Sequence, residues 1–258
     1  MADLFFVGTS SGKTSTTRNH SSILISTTNY NLLIDAGDGI PKAFLLYNID
    51  FNSIDGVLIT HLHPDHYTGL ASLIVQMKMY NREKSLDLYI NAELKNTVKN
   101  FLTDSYLYPD RLGFGIEYRS FSENISIDVS EEISFIARKN SHLASVSELK
   151  DNSEQSFSCS SFLLNIGSRK IFYTSDVGSE KDLSLFDDNK YDFLISEITH
   201  VDPKEIINKS ENDNFIRQII FTHYSDEDVV ETKKFINNLN KDLKSWVILA
   251  VDGLKVEL

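Results

Sequence analysis

Two hydrophobic patterns alternate along the chain. Short runs of apolar, β-branched or aromatic residues at LFFV (4–7), SILIS (22–26), NLLID (31–35), GVLIT (56–60) and LDLYI (86–90) predict strands. Between them, IPKAFLLYNI (40–49) and LASLIVQMKMY (70–80) carry apolar residues near a 3.6-residue period, the first with Pro41 at its entry, and predict helices packed on a sheet. The second half repeats this grammar, with strands predicted at ISIDV (125–129), ISFIAR (133–138), SFLLNI (161–166), KIFYT (170–174), DFLIS (192–196), QIIFT (218–222) and SWVILAV (245–251). Asn165 to Ser168 supplies a turn between two of them. EDVVETKKFINNLN, from Glu227, places Val229, Val230, Phe235 and Ile236 as the apolar positions of an amphipathic helix. SELKDNSEQS (147–156) and IINKSENDN (206–214) are polar and aperiodic and read as surface loops. Two strand-rich halves trimmed by helices predict an α/β architecture of two sheets between helical layers.

Composition narrows this reading. With 258 residues, 41% of them hydrophobic, and only four prolines, the chain has the make-up of a folded globular protein, and no linker-like stretch divides it. The expectation is a single domain over residues 1–258. A net charge of -12, with Lys and Arg scattered singly or in short pairs, repels polyanions and disfavours a nucleic-acid partner. The lone Cys159 excludes an intrachain disulfide. The N-terminal MADLFFVGTS has no basic-then-apolar leader pattern, and no apolar run approaches the roughly 18 residues of a membrane span. Together these features predict a soluble, cytoplasmic protein without a membrane partner.

The candidate chemistry lies in THLHPDHYTGL (60–70), where three of the seven histidines and an aspartate fall within six positions. They follow a buried-looking strand. His61 and His63, two apart in an extended segment, point the same way and can chelate one ion, while Asp65 and His66 lie one turn further on and can reach a second. A lone histidine in such a loop would read as an ordinary polar residue; three with an acid at this spacing read as metal ligands. Further candidates stand at other strand exits: His142 after ISFIAR, Asp176 after KIFYT and His223 after QIIFT.

In this order, VGTSSGKTSTTRNHSSILIS, NLLIDAGDG, LITHLHPDHYTGL, KIFYTSDVG, FTHYSD and AVDGLKVEL resemble the metallo-β-lactamase-fold superfamily and, within it, the ribonuclease Z-like branch. The resemblance implies a four-layer αβ/βα sandwich with a dinuclear site at the rim between the sheets. By that resemblance His61, His63 and His142 hold one ion, Asp65, His66 and His223 the other, and Asp176 bridges both. Gly8, Thr9 and Ser10 would form a turn beside the site, and Asp35 would support the metal loop by hydrogen bonding. The donor set of nitrogen and oxygen suits zinc first, with manganese or iron also compatible. A homodimer is likewise implied only by the resemblance.

Two ions roughly 3.5–4 Å apart can share a hydroxide and clamp the oxygens of a phosphodiester. Asp65 would both ligate and accept the nucleophile's proton, a role common in the branch. Ribonuclease Z enzymes carry a further histidine block between the bridging aspartate and the last ligand; here the corresponding stretch is IINKSENDNFIRQ. His200, at the exit of another predicted strand, is the substitute proposed as general acid, positioned by Glu197. His20 reads as structural or solvent-facing. The long basic arm that grips transfer RNA is missing, and the corresponding interval holds the acidic ELKDNSEQ. The expected substrate is therefore a small anionic phosphodiester, foremost a 3′,5′-cyclic nucleotide, with Tyr106, Tyr108 and Phe114 as candidate base-stacking residues. The alternatives are a ribonuclease Z-type transfer-RNA 3′-end endonuclease, another metallo-hydrolase such as an arylsulfatase or lactonase on the same site, and a binding protein that has kept the fold but lost turnover.

Overall fold

A computed structural model describes residues 2–145, 156–211 and 216–258. The first half contributes β1 (Asp3–Gly8), β2 (Ser22–Ser26), β3 (Asn31–Ile34), β4 (Gly56–Ile59), β5 (Leu86–Asn91) and β6 (Ile116–Phe121). The second contributes β7 (Ser126–Asp128), β8 (Ile133–Lys139), β9 (Ser160–Ile166), β10 (Arg169–Tyr173), β11 (Phe193–Glu197), β12 (Gln218–Thr222) and β13 (Val247–Leu249), and β14 (Lys255–Glu257) closes the chain. They form two seven-stranded sheets, ordered β14-β1-β2-β3-β4-β5-β6 and β13-β12-β11-β10-β9-β8-β7. Both sheets follow one plan. Their first four strands pair antiparallel, and from β3 and from β10 onward the pairing is parallel. Parallel pairing requires crossovers, and those crossovers carry the helices.

The apolar runs are nearly continuous because these strands are buried on both faces. Side chains alternate between two cores with a period of two. Leu4 and Phe6, Ile23 and Ile25, Leu32 and Ile34, Leu58 and Tyr89 face the opposing sheet. Val7, Leu24, Leu33, Val57, Ile59, Leu88 and Ile90 face outward, against helices α1 (Ile40–Leu46), α3 (Gly69–Met79) and α4 (Lys95–Asp104). Between the sheets, Phe121, Phe135 and Phe162 meet edge to face with ring centroids 5.3–5.8 Å apart, a geometry favourable beyond area burial alone. On the far side, Leu163, Phe172, Leu194, Ile219 and Phe221 pack beneath Ile206, Ile207 and Phe235. Three apolar layers thus separate four structural ones, which is the αβ/βα sandwich expected from the motifs.

Two short helices, α2 (Pro64–Tyr67) and α5 (Pro109–Leu112), complete the first half; α6 (Pro203–Glu211), α7 (Asp228–Asn238) and α8 (Lys241–Trp246) belong to the second. Helix α6 corrects the loop reading of IINKSENDN as far as Glu211. Pro203 opens the helix, the Asp202 carboxylate accepts the Lys204 N–H at 2.9 Å, and Ile206 and Ile207 are buried. Residues 212–214, and ELKDNSEQ (148–155), lie outside the described residues. The SWVILAV strand is also shorter than expected. Asn240 caps α8 through the Leu243 N–H at 2.9 Å, which draws Ser245 and Trp246 into that helix and leaves Val247–Leu249 as strand. Among the described residues no helix is long and apolar enough to cross a membrane.

Candidate metal centre

The parallel strands of both sheets end on one rim, and the polar residues that follow them meet there. After β4, Thr60 leads into His61 and His63; the backbone of His63 is extended, and Pro64 starts the single turn that presents Asp65 and His66. His142 follows β8, Asp176 follows β10, and His223 follows β12. Three non-glycine residues on this rim hold left-handed backbone: Asp35 (φ 59), Ser175 (φ 53) and His223 (φ 51). Such conformations cost on the order of 1–3 kcal/mol each and persist where surrounding bonds over-determine them.

The structure brings seven of the sequence-predicted residues into two overlapping groups. His61, His63, His142 and Asp176 form one; Asp65, His66, His223 and Asp176 form the other, with the donor atoms of each within 4.8 Å of one another. Asp176 Oδ2 faces His61 Nε2 at 3.9 Å and His142 Nε2 at 3.7 Å. Its other oxygen, Oδ1, faces Nε2 of both His66 and His223 at 3.3 Å. His223 Nε2 also lies 3.1 Å from Asp65 Oδ2. His61 Nε2 and Asp176 Oδ1 are buried without a hydrogen-bond partner among the described residues. Orphaned buried polar atoms are rare and costly, and a cation shared by imidazole nitrogens and carboxylate oxygens would satisfy both. The donor set fits divalent metal binding.

Burial holds the imidazoles of His61, His63 and His142 below their usual range, so each keeps a lone pair free. For His66 burial acts in the same direction, but the carboxylates of Asp176 and Asp35 outweigh it and raise the group well above that range. Asp65 resists its own burial through the hydrogen bond with His223 and the charge of His66, and is lowered to about 2. It is ionised at neutral pH and can accept a proton or a cation.

Partner groups fix the ligand orientations. Asp35 Oδ2 lies 2.7 Å from His66 Nδ1 and accepts the Thr60 hydroxyl, while Oδ1 accepts the Thr60 N–H, so one buried carboxylate steadies both ends of the histidine-rich loop. This agrees with the supporting role expected of Asp35. Sequence reasoning missed Asn140, which donates to the Asp176 carbonyl at 2.8 Å and accepts the His142 N–H at 3.1 Å. It also missed Asp182, whose carboxylate gathers Ser141 and Gly178. The two ligand loops touch so closely that a Cβ on Gly178 would lie 2.4 Å from the Ser141 carbonyl oxygen. The Ser179–Asp182 capping box was the available signal for Asp182.

The β1–β2 loop closes the rim from above. Ser11 N–H bonds to the Tyr224 carbonyl and Tyr224 N–H to the Thr9 carbonyl, next to His223. Its anchor is Asp252, whose carboxylate accepts from Thr9 N–H, the Thr9 hydroxyl, Asn19 N–H and Asn19 Nδ2 at 2.6–2.9 Å. Asp252→Ala leaves these donors without their acceptor and is expected to lower stability by about 2–4 kcal/mol, measurable as a reduced urea midpoint at unchanged slope. His20, as expected, is structural: it is buried, with Nδ1 2.9 Å from the Ser11 carbonyl oxygen.

His200 stands at the mouth of the centre. Its ring centroid is 4.9 Å from that of His142, and its Nδ1 is 2.9 Å from Glu197 Oε1, whose hydrogen bond raises the imidazole above its usual range. Glu197 also accepts the N–H groups of Val177, Thr199 and His200, and so ties His200 to the Asp176 loop. The expected aromatic stacking residues are placed elsewhere. Phe114 is buried in the first outer core beneath Arg82, and Tyr106 is 78% exposed. Neither these nor Tyr108 lines the cleft of about 260 Å³ that opens beside His63.

The sandwich is that of the metallo-β-lactamase fold. The chain belongs to the family of the anti-Pycsar protein Apyc1, whose model matches residues 2–237. It is 35% identical over 121 residues to the anti-Pycsar protein Apyc1 of Bacillus phage BSP38, covering 47% of this chain and 44% of that one. It is 32% identical over 130 residues to the ribonuclease Z of Sulfurisphaera tokodaii, covering 50% and 43%. The chain thus spans less than half the length of these two relatives. The crystal structure of the short form of human tRNase Z superposes with a TM-score of 0.72 over 99% of this chain and 98% of that one at 18% identity, a likeness of fold alone.

Proposed function

We propose that this protein is a metal-dependent phosphodiesterase that hydrolyses small phosphodiesters, foremost 3′,5′-cyclic nucleotides. The reading rests on the two oxygens of Asp176, which face two separate ligand groups on one rim. In it, His61, His63 and His142 would hold one divalent ion and Asp65, His66 and His223 a second, with Asp176 available to both groups and zinc favoured by the nitrogen and oxygen donors. When bound, such a pair supplies a nucleophile at neutral pH and neutralises charge growing on the phosphoryl oxygens. The ionised Asp65 accepts the nucleophile's proton. Membership of the family of Apyc1, itself a cyclic nucleotide-degrading phosphodiesterase, supports the choice of substrate. The net charge of -12 argues against a polyanionic RNA.

His200 is the proposed general acid. Glu197 occupies Nδ1 and leaves Nε2 to hold a proton for the departing alkoxide. His200→Ala should then slow diesters of poorly stabilised alkoxides by about 10²-fold or more and p-nitrophenyl esters far less. Equal slowing of both classes removes the assignment.

The substrate reading is tested by incubating zinc-loaded protein with 3′,5′-cyclic nucleotides, linear dinucleotides and a precursor transfer RNA, and quantifying products. Turnover of the cyclic diesters is expected. Cleavage of the RNA with the cyclic nucleotides untouched would overturn the reading in favour of a ribonuclease Z.

A further inference from the structure

The cleft beside the metal centre shares only His63 with the two ligand groups. Its walls are Leu62, Tyr67, Leu94, Leu143 and Phe157, so it is chiefly apolar and lies between the metal loop, the start of α4 and the segment leading into β9. Tyr67 is held by Phe101, whose ring meets it at 5.0 Å and 62°. Leu94 is fully buried, so the floor is rigid. At about 260 Å³ the cleft is smaller than the roughly 300–1,000 Å³ that encloses a whole drug-sized ligand, and it suits one planar ring system. One polar group is oriented there. Buried Ser158 accepts from Asn91 Nδ2 at 3.1 Å, and Asn91 in turn donates to Glu123 Oε1 at 2.9 Å. With one of its two lone pairs engaged by Asn91, the Ser158 hydroxyl keeps its proton for an acceptor in the cleft.

We propose that this cleft seats the nucleobase of the substrate. The inference rests on the cyclic-nucleotide reading above and adds to it where selectivity for the base resides. His63, one of the candidate ligands, itself lines the cleft, so a ring held there remains close to a phosphate at the metal centre. Apolar walls stack any base, as sequence-tolerant binding of single nucleotides requires, and the Ser158 hydroxyl discriminates among the acceptor atoms that different bases present. A single base fits.

Thr97 provides a test that spares both core and ligands, because it lines the cleft from an exposed position on α4. Thr97→Trp fills the seat. With zinc-loaded enzyme, KM for 3′,5′-cyclic AMP is expected to rise about tenfold or more, the scale of one lost base stack, while kcat and zinc content change little. The abasic analogue, 1-deoxyribose 3′,5′-cyclic phosphate, should be hydrolysed by both forms with the same parameters. An unchanged KM for cyclic AMP, or an equal rise for the abasic diester, overturns the base seat while leaving the phosphodiesterase reading intact. Failure of the wild-type enzyme to cleave either diester overturns that reading, and the seat with it.

Discussion

Asp65→Ala and His66→Ala are each expected to abolish diester hydrolysis, by on the order of 10³-fold or more, which exceeds the ~10–100-fold that follows loss of a ligand's hydrogen-bond partner. His66 Nε2 lies 3.3 Å from Asp176 Oδ1 and 3.2 Å from His223 Nε2, and Asp65 Oδ2 lies 3.1 Å from His223 Nε2. Loss of either leaves the second group short of a donor and removes a charge from a buried cluster in which each member sets its neighbours' protonation. Metal analysis of the purified variants should show about one divalent ion per chain, against two in the wild type, on the two-metal chemistry proposed. Far-UV circular dichroism should be unchanged, because both residues lie in the short rim helix α2, outside the strands that build the three cores. Asp35→Asn supplies the contrast. It keeps an oxygen for Thr60 but loses the carboxylate facing His66, so the reduction should fall in the milder range. Full activity in Asp65→Ala and His66→Ala together would refute the site.

Chelation is expected to have the second largest effect. An ion present at 1,000 times its dissociation constant stabilises the folded state by about 4 kcal/mol, so removing it from a protein of this size should lower the melting temperature by about 10 °C. The groups left behind explain why the cost is large: His61 Nε2 and Asp176 Oδ1 are buried without partners among the described residues, and Asp65 lies against His223. The fold itself should persist, since the metal groups lie on one rim and the three apolar layers do not depend on them. Calorimetry of protein treated with chelator and then re-supplied with zinc should show the transition fall and return. A melting temperature indifferent to both treatments would show that the rim does not hold ions in solution.

The same layering explains which elements could be read from the chain. Strands such as Ser22–Ser26 and Gln218–Thr222 are buried on both faces, so their runs are apolar throughout and their bounds follow from the residues. Edge elements lack that pressure. β6 (IEYRSF) buries only Phe121 fully and carries no clear period, while α4 (KNTVKNFLTD) shows its period only through Leu94, Val98, Phe101 and Leu102 set among polar residues, and both escaped detection. Helix α6 was hidden by its polar face and betrayed only by Asp202-Pro203 and two isoleucines. The aromatic segment at 106–114 misled for a related reason. A run of aromatic residues looks the same whether it faces a ligand or a core, and Phe114 lies in the core.

By itself, the sequence determined the chemistry: which residues can bind metal, that the nearby ones follow a strand, and that further donors recur at strand exits. Those properties are local, because residue type and a spacing of two or four positions decide them. Only the tertiary structure decided which donors meet. Asp176 and His223 stand more than a hundred residues beyond the histidine-rich loop, and it is the packing of two sheets around Phe121, Phe135 and Phe162 that brings their strand ends to one rim. The supporting bonds from Asn140, Asp182 and Asp252, and the cleft beside His63, are likewise products of that packing. Apart from the capping box at Ser179 and Asp182, they join segments whose separation along the chain leaves no pattern for a sequence to display.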